Sequence, residues 1–158
     1  MVTPEHHWLR DFVKESNRIE GIYRPPTWQE LDASAVFVAL PKISVDAVCC
    51  FVTICQPGAV IRNKEGLDVR VGDYVAPVGS PCIKPLLAQL LRTINEGRIS
   101  PFDAHLKYEA LHPFTDGNGR SGRIIWAWQM RNNGAEINLP FLHRFYYQTL
   151  EHTDAFQD

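Results

Sequence analysis

Leu111-His-Pro-Phe-Thr-Asp-Gly-Asn-Gly-Arg-Ser-Gly-Arg123 is the stretch that decides how this chain reads. It gathers a histidine, an acid, glycines on both sides of an asparagine, and two arginines. His112 suits proton transfer, because an imidazole titrates near neutrality. Asp116 offers the hard oxygen ligand that Mg2+ takes. Gly117 and Gly119 carry no Cβ and let a backbone approach an anion closely. From Arg120, the run Arg-Ser-Gly-Arg-Ile-Ile-Trp-Ala-Trp-Gln-Met-Arg131 predicts a helix. The loop would then feed a helix N-terminus, where free N–H groups and the positive dipole end favour phosphate. Arg120 and Arg123 stand one helical turn apart, so both are expected to point at one ligand. Residue chemistry alone describes a phosphate site with a divalent cation.

Two plainer readings compete with that one. Gly117-Asn-Gly-Arg-Ser-Gly122 matches the dinucleotide-binding fingerprint in form, but that motif follows a buried strand. Here it follows Pro101–Leu111, where Phe102, His105, Leu106, Glu109 and Ala110 fall at helical spacing. A glycine turn between two helices accounts for Gly117 and Gly119. It leaves His-x-x-x-Asp before them and Arg-x-x-Arg after them unexplained.

The stretch resembles the signature of the Fic family, His-x-Phe-x-(Asp/Glu)-Gly-Asn-Gly-Arg-x-x-Arg, and fills every specified position. A second element, Ser16-Asn-Arg-Ile-Glu20-Gly21, is similar to the family's inhibitory motif, (Ser/Thr)-x-x-x-Glu-(Gly/Asn). The resemblance implies a mainly α fold: a Fic helical core with one β-hairpin flap. Residues 1–25 would be an N-terminal inhibitory segment packed on a catalytic core of residues 26–158. The implied reaction is transfer of AMP from ATP to a Ser, Thr or Tyr hydroxyl of a target protein, with Mg2+ as cofactor. His112 would be the general base, Asp116 the metal ligand, and the backbone N–H groups around Gly117–Gly119, with the Asn118 side chain, the cradle of the transferred phosphoryl. Arg120 would clamp phosphates. Arg123 would hold the γ-phosphate or, at rest, pair with Glu20, supported by Ser16. Val71 and Gly72 would lie on a flap, 67–76, that docks the target backbone, and Tyr147 would lie near adenine. Phe114 would anchor the loop in the core.

The same resemblance implies alternatives. Glu20 could orient a water and remove AMP instead. Doc-type relatives transfer phosphate from ATP bound in reverse, but their loops depart from Gly-Asn-Gly-Arg. A non-catalytic nucleotide-binding module, kept closed by its own helix, is the reading from a different class. A homo-oligomer is a further possibility.

The rest of the chain fits one domain. It has 158 residues, 45% hydrophobic and 22% charged, ordinary for a globular protein with a real core. A net charge of −2 supplies no global field for nucleic acid or an anionic membrane. Residues 1–10 show no basic region followed by an apolar run, so no signal peptide is expected, nor any membrane span. Cys49, Cys50, Cys55 and Cys82 lack Cys-x-x-Cys spacing and are expected to be buried thiols, which suits a reducing cytoplasm.

Taken in order, Pro4–Glu20 predicts a helix stopped at Gly21 and Pro25-Pro26. Thr27 and Glu30 form a capping-box pattern for a helix over Thr27–Leu40, with Leu31, Ala35, Val38 and Ala39 as its apolar face. Ser44–Cys55 is rich in β-branched residues, yet its spacing and Ser44 favour a buried helix. Leu67–Val71 and Tyr74–Ala76, joined by Gly72-Asp73, predict a hairpin. Pro81–Glu96 predicts a helix with Ile83, Leu86, Leu87, Leu90, Leu91 and Ile94 inward. Ser100 and Pro101 open the next helix, in which His105 and Tyr108 serve packing. Asn132-Asn133-Gly134 ends the signature helix, and Leu139–Phe156 carries a last aromatic stripe.

Overall fold

In the computed structural model, residues 7–137 are described. They form α1 (His7–Ile19), α2 (Trp28–Val38), α3 (Val45–Cys55), β1 (Arg70–Val71), β2 (Tyr74–Val75), α4 (Ile83–Asn95), α5 (Pro101–Leu111) and α6 (Asn118–Asn132). The fold is mainly helical, with one small antiparallel hairpin among the described residues. Tyr147 and the segment Leu139–Phe156 lie outside the described residues, as does the start of the first predicted helix.

Local signals set most helix starts. Thr27 accepts the Glu30 N–H while the Glu30 carboxylate accepts the Thr27 N–H, a complete capping box. Ser44 caps α3 through the Ala47 N–H, and its helical spacing prevails over its β-branched content. Ser100 caps α5, with Pro101 in its first turn, where the missing N–H costs nothing.

α6 is the central helix. Every residue from Asn118 to Gln129 except Gly119 is buried, the polar Asn118, Arg120, Ser121, Arg123 and Gln129 among them, so the helix runs through the interior and its polar groups need partners there. α1, α2, α3 and α5 all pack on it. Trp128 donates its indole N–H to the Leu40 carbonyl and Gln129 its amide to Ile99, satisfying polar groups inside this core. α5 comes closest, because Gly122 faces it. An added Cβ there would lie 2.6 Å from Glu109 Oε1 and 3.0 Å from the Tyr108 ring. His105 donates to the Gly122 carbonyl and Tyr108 bonds Ser121, so both serve helix packing as expected.

Several expectations need correction. α6 starts at Asn118 rather than Arg120, because Gly117 takes the left-handed cap position at φ 78° and lets the helix begin inside the glycine loop. The buried face of α2 runs through Ala33, Ser34, Phe37 and Val38, and Ala39 is exposed beyond its end. Leu86 is 45% exposed, on the solvent side of α4. Cys50 and Cys82 are exposed rather than buried, the first on the outer face of α3 and the second before α4. The strands are shorter than Leu67–Val71 and Tyr74–Ala76, since only Arg70↔Val75 and Val71↔Tyr74 pair. No helix among the described residues is long and apolar enough to cross a membrane.

Candidate active site

A cleft of about 290 Å³ opens between the hairpin and the N-terminus of α6. Val69, Arg70 and Val71 form one wall, the loop from His112 to Gly119 forms the floor, and Glu20 closes one end. Six residues of the signature stretch (His112, Thr115, Asp116, Gly117, Asn118 and Gly119) thus meet two segments distant in sequence.

His112 sits where α5 ends. It is the C-cap, at φ 48° and ψ 62°, and it alone among the described non-glycine residues has a positive φ. A histidine in the left-handed region is held there by its surroundings. Its Nδ1–H donates to the Glu109 carbonyl at 3.1 Å, which leaves the lone pair on Nε2. Burial, more than any charge nearby, pushes its pKa below the ordinary histidine value. The ring is therefore neutral near pH 7, with one nitrogen ready to accept a proton.

Across the cleft floor, α6 presents its N-terminus. The N–H groups of Asn118, Gly119 and Arg120 precede the first closed helical bond, Ser121 N–H to Gly117 C=O at 3.0 Å. Such a terminus is an anion site by construction. The loop before it is locked from within: Asn118 accepts the Phe114 N–H and donates to the Phe114 carbonyl, each at 2.8 Å. Both polar groups of the Asn118 side chain are thereby engaged, so, contrary to expectation, what Asn118 offers a ligand is its backbone N–H and not its side chain. Phe114 is buried, as expected of an anchor.

A carboxylate already lies against this terminus. Glu20 Oε1 accepts from Arg123 Nη2 at 2.6 Å, and a Cβ on Gly119 would collide with that carboxylate oxygen. Arg123 itself is fully buried and also donates Nε to Ser16 Oγ at 2.8 Å and Nη2 to the Ser16 carbonyl at 3.0 Å. Ser16, Glu20 and Arg123 are therefore one cluster, joining the end of α1 to α6. α1 is fixed in turn by Asn17, which donates to the buried Glu30 carboxylate on α2. Burial raises the Glu30 carboxyl, but hydrogen bonds from Arg24, the Thr27 N–H and Asn17 outweigh it and hold the pKa below the usual value.

Arg120 departs from expectation. It does not converge with Arg123 on the cleft. Its guanidinium is buried toward α3 and α2, donating to Gln56 Oε1 at 2.6 Å and lying 4.0 Å from Glu30 Oε1. A separation of three residues on a helix turns a side chain by about 300°, and here that rotation puts the two arginines on different neighbours. Arg120 braces the helices behind the site. Gly72, at the hairpin tip, is also outside the cleft lining, whereas Val71 is in it.

Asp116 is exposed at the cleft, with Oδ1 accepting the Gly117 N–H at 2.7 Å and Oδ2 available. Among the described residues no group of three or more potential ligands could hold a metal by itself. One carboxylate fits a cation that keeps waters and takes its other ligands from substrate phosphates, as Mg2+ does.

Two further residues belong to the site, and the sequence reading gave neither a role there. Glu109 lies beneath the cleft, with Oε2 3.9 Å from His112 Nδ1 and Oε1 3.9 Å from His105 Nε2. Its burial raises its pKa to about 8, against the pull of Arg123, so it is a neutral acid near pH 7. Arg62, with no exposed surface, donates to the His112 carbonyl at 2.7 Å. Its only clue was an arginine closing the apolar run Ala59-Val-Ile-Arg62, which by itself says nothing about a partner at position 112.

Residues 60–130 match the family model described as Fic/DOC family. The matched residues hold the hairpin, α4, α5 and nearly all of α6, whereas α1, α2 and α3 lie before them. No solved structure matches the chain.

Proposed function

Taking residues 60–130 as a Fic domain, we propose that this protein transfers AMP from ATP to a hydroxyl of a target protein and is held at rest by Glu20. The observation that carries this reading is the neutral His112 ring, with its Nε2 lone pair beside a helix N-terminus shaped for phosphate. In the reaction, Nε2 takes the proton of the target hydroxyl and the freed oxygen attacks the α-phosphorus. The bond to the β-phosphate oxygen breaks, and pyrophosphate leaves. N–H groups of Gly119 and its neighbours stabilise the charge that builds on the phosphoryl oxygens. Asp116 would hold Mg2+, which neutralises charge on the ATP phosphates. Val69–Val71 would align the target's backbone along the free edge of β1, as in strand addition.

Glu20 occupies the Arg123 guanidinium that would otherwise hold the γ-phosphate. A carboxylate on a guanidinium makes the same charge-assisted contacts as a phosphate oxygen pair. Because it belongs to the same chain, it competes at high effective concentration.

A second reading rests on Glu20 lining the cleft while one of its oxygens bonds Arg123. There it could orient a water for removal of AMP from a modified target. Replacing Glu20 separates the two, since transfer rises and removal is lost.

The test is transfer of label from α-labelled ATP with Mg2+ into the protein and a cell lysate. Parent, Glu20→Gly and Glu20→Gly/His112→Ala are compared. Label in the single variant alone supports an autoinhibited AMP transferase. Label that survives His112→Ala removes His112 as the base, and no label in any sample rejects transfer.

A further inference from the structure

We propose that Arg62 is a positioning residue that sets His112 against the hairpin by holding backbone carbonyls of both. The inference rests on His112 acting as the base.

The chemistry begins with the end of α5. The last carbonyls of a helix have no N–H partner within it. At this end, His112 turns left-handed, and the carbonyls of Leu111 and His112 face inward. Arg62 meets them with Nη2 at 2.9 Å and Nε at 2.7 Å. Its remaining nitrogen, Nη1, donates to Leu67 at 3.0 Å and Pro77 at 2.7 Å, the two ends of the segment that carries the hairpin. One planar fork of five N–H donors thus serves four carbonyls from two segments. Lysine, a point donor with three N–H groups, cannot reproduce that geometry.

The backbone repeats the link. The Arg62 N–H donates to Pro113 C=O at 2.9 Å, and its own carbonyl accepts the Ser80 N–H at 3.2 Å. Tyr74 on β2 adds a third tie, its hydroxyl donating to the Ala110 carbonyl at 2.6 Å. A buried cation without a close carboxylate partner is costly unless dipoles replace its hydration. Four carbonyls do so here, and no ion pair to Arg62 forms among the described residues. The guanidinium charge also helps keep His112 neutral, acting with burial and against Glu20 and Asp116.

Mere capping of α5 would explain two of the four bonds. The pair to Leu67 and Pro77 makes Arg62 the joint between the base and the wall that would present the target.

The experiment compares Arg62→Gln and Arg62→Lys within the Glu20→Gly background, so that Glu109 and Asp116 face His112 equally in all samples. For Arg62→Gln, kcat falls about 10- to 100-fold, the scale set by misplacing a reacting group by an ångström. ATP affinity changes less than about threefold, because the α6 N-terminus is untouched. The His112 imidazole titration, followed by NMR, moves to higher pH as the cation that lowers it is lost. Arg62→Lys restores that titration in part but leaves kcat low. Full kcat in Arg62→Gln, or ATP affinity falling in step with kcat, overturns the proposal. So does loss of the fold in both variants, which would make Arg62 a stability residue. If Glu20→Gly itself transfers nothing, the transferase reading fails, whereas an unmoved His112 titration rejects the Arg62 link independently.

Discussion

Glu20 Oε1 and Arg123 Nη2 lie 2.6 Å apart although 103 residues separate them, and the glutamate of this pair closes one end of the cleft. The carboxylate is 34% exposed, whereas the guanidinium is almost wholly buried. The arginine is held by Ser16, whereas the glutamate faces the cleft. Rearrangement at this cluster should therefore begin with Glu20.

On the proposed reading, replacing Glu20 with Gly would free Arg123 for a phosphate without touching the His112–Gly119 loop. Transfer should rise about 5- to 150-fold, the span expected of a coupling worth 1–3 kcal/mol. Initial rates and ATP affinity by calorimetry check this. Unchanged rate and affinity would show that the ion pair does not compete with nucleotide.

Ser16→Ala leaves the buried Arg123 Nε without its hydroxyl acceptor. The expected loss is about 1–3 kcal/mol, the penalty for an unsatisfied buried donor. Urea unfolding gives the number. A variant as stable as the parent would mean that another group takes up the Nε–H.

Asn118→Ala removes both bonds that close the loop on Phe114. Two buried backbone groups lose their partners, so stability should fall by about 2–4 kcal/mol. Nucleotide affinity should fall with it, because the α6 N-terminus is no longer aligned. Asn118→Asp should be little better, since an oxygen then faces the Phe114 carbonyl. Thermal unfolding and ATP titration measure the two effects, and retained affinity in Asn118→Ala would show that the helix end needs no such brace.

Glu109 predicts a dependence on pH. Its carboxyl keeps its proton to about pH 8 in the fold, against an ordinary value of 4.5 when unfolded. Between those limits the folded chain binds the extra proton, so stability is full below 4.5 and is lost as pH rises towards 8. His105, held down to about 3 by burial, acts oppositely below pH 6.5. The Glu109 effect is therefore isolated between pH 6.5 and about 8. In that window the parent should lose more stability than Glu109→Gln, measured by urea unfolding at each pH. Parallel curves would remove Glu109 as a buried neutral acid.

Much of the fold was legible because its signals are local. The Thr27–Glu30 box, the Ser44 cap and the Ser100-Pro101 start each act within four residues, so sequence distance is no obstacle. α3 was legible for the same reason, its spacing outweighing its β-branched content. Leu86 and Cys50 were misjudged because apolar character does not say which side of a helix finds a neighbour.

The sequence by itself determined the helices, the hairpin turn and the chemistry concentrated between His112 and Arg123. Tertiary structure decided which of those groups face the cleft. Arg120 and Arg123 have the same charge and share one helix, yet Gln56 and Glu30 draw the first behind the site while Ser16 and Glu20 hold the second beneath it. Arg62 reaches His112 across 50 residues by bonding to carbonyls that every sequence possesses. Backbone acceptors carry no sequence label, and only the folded chain shows which of them a buried guanidinium has found.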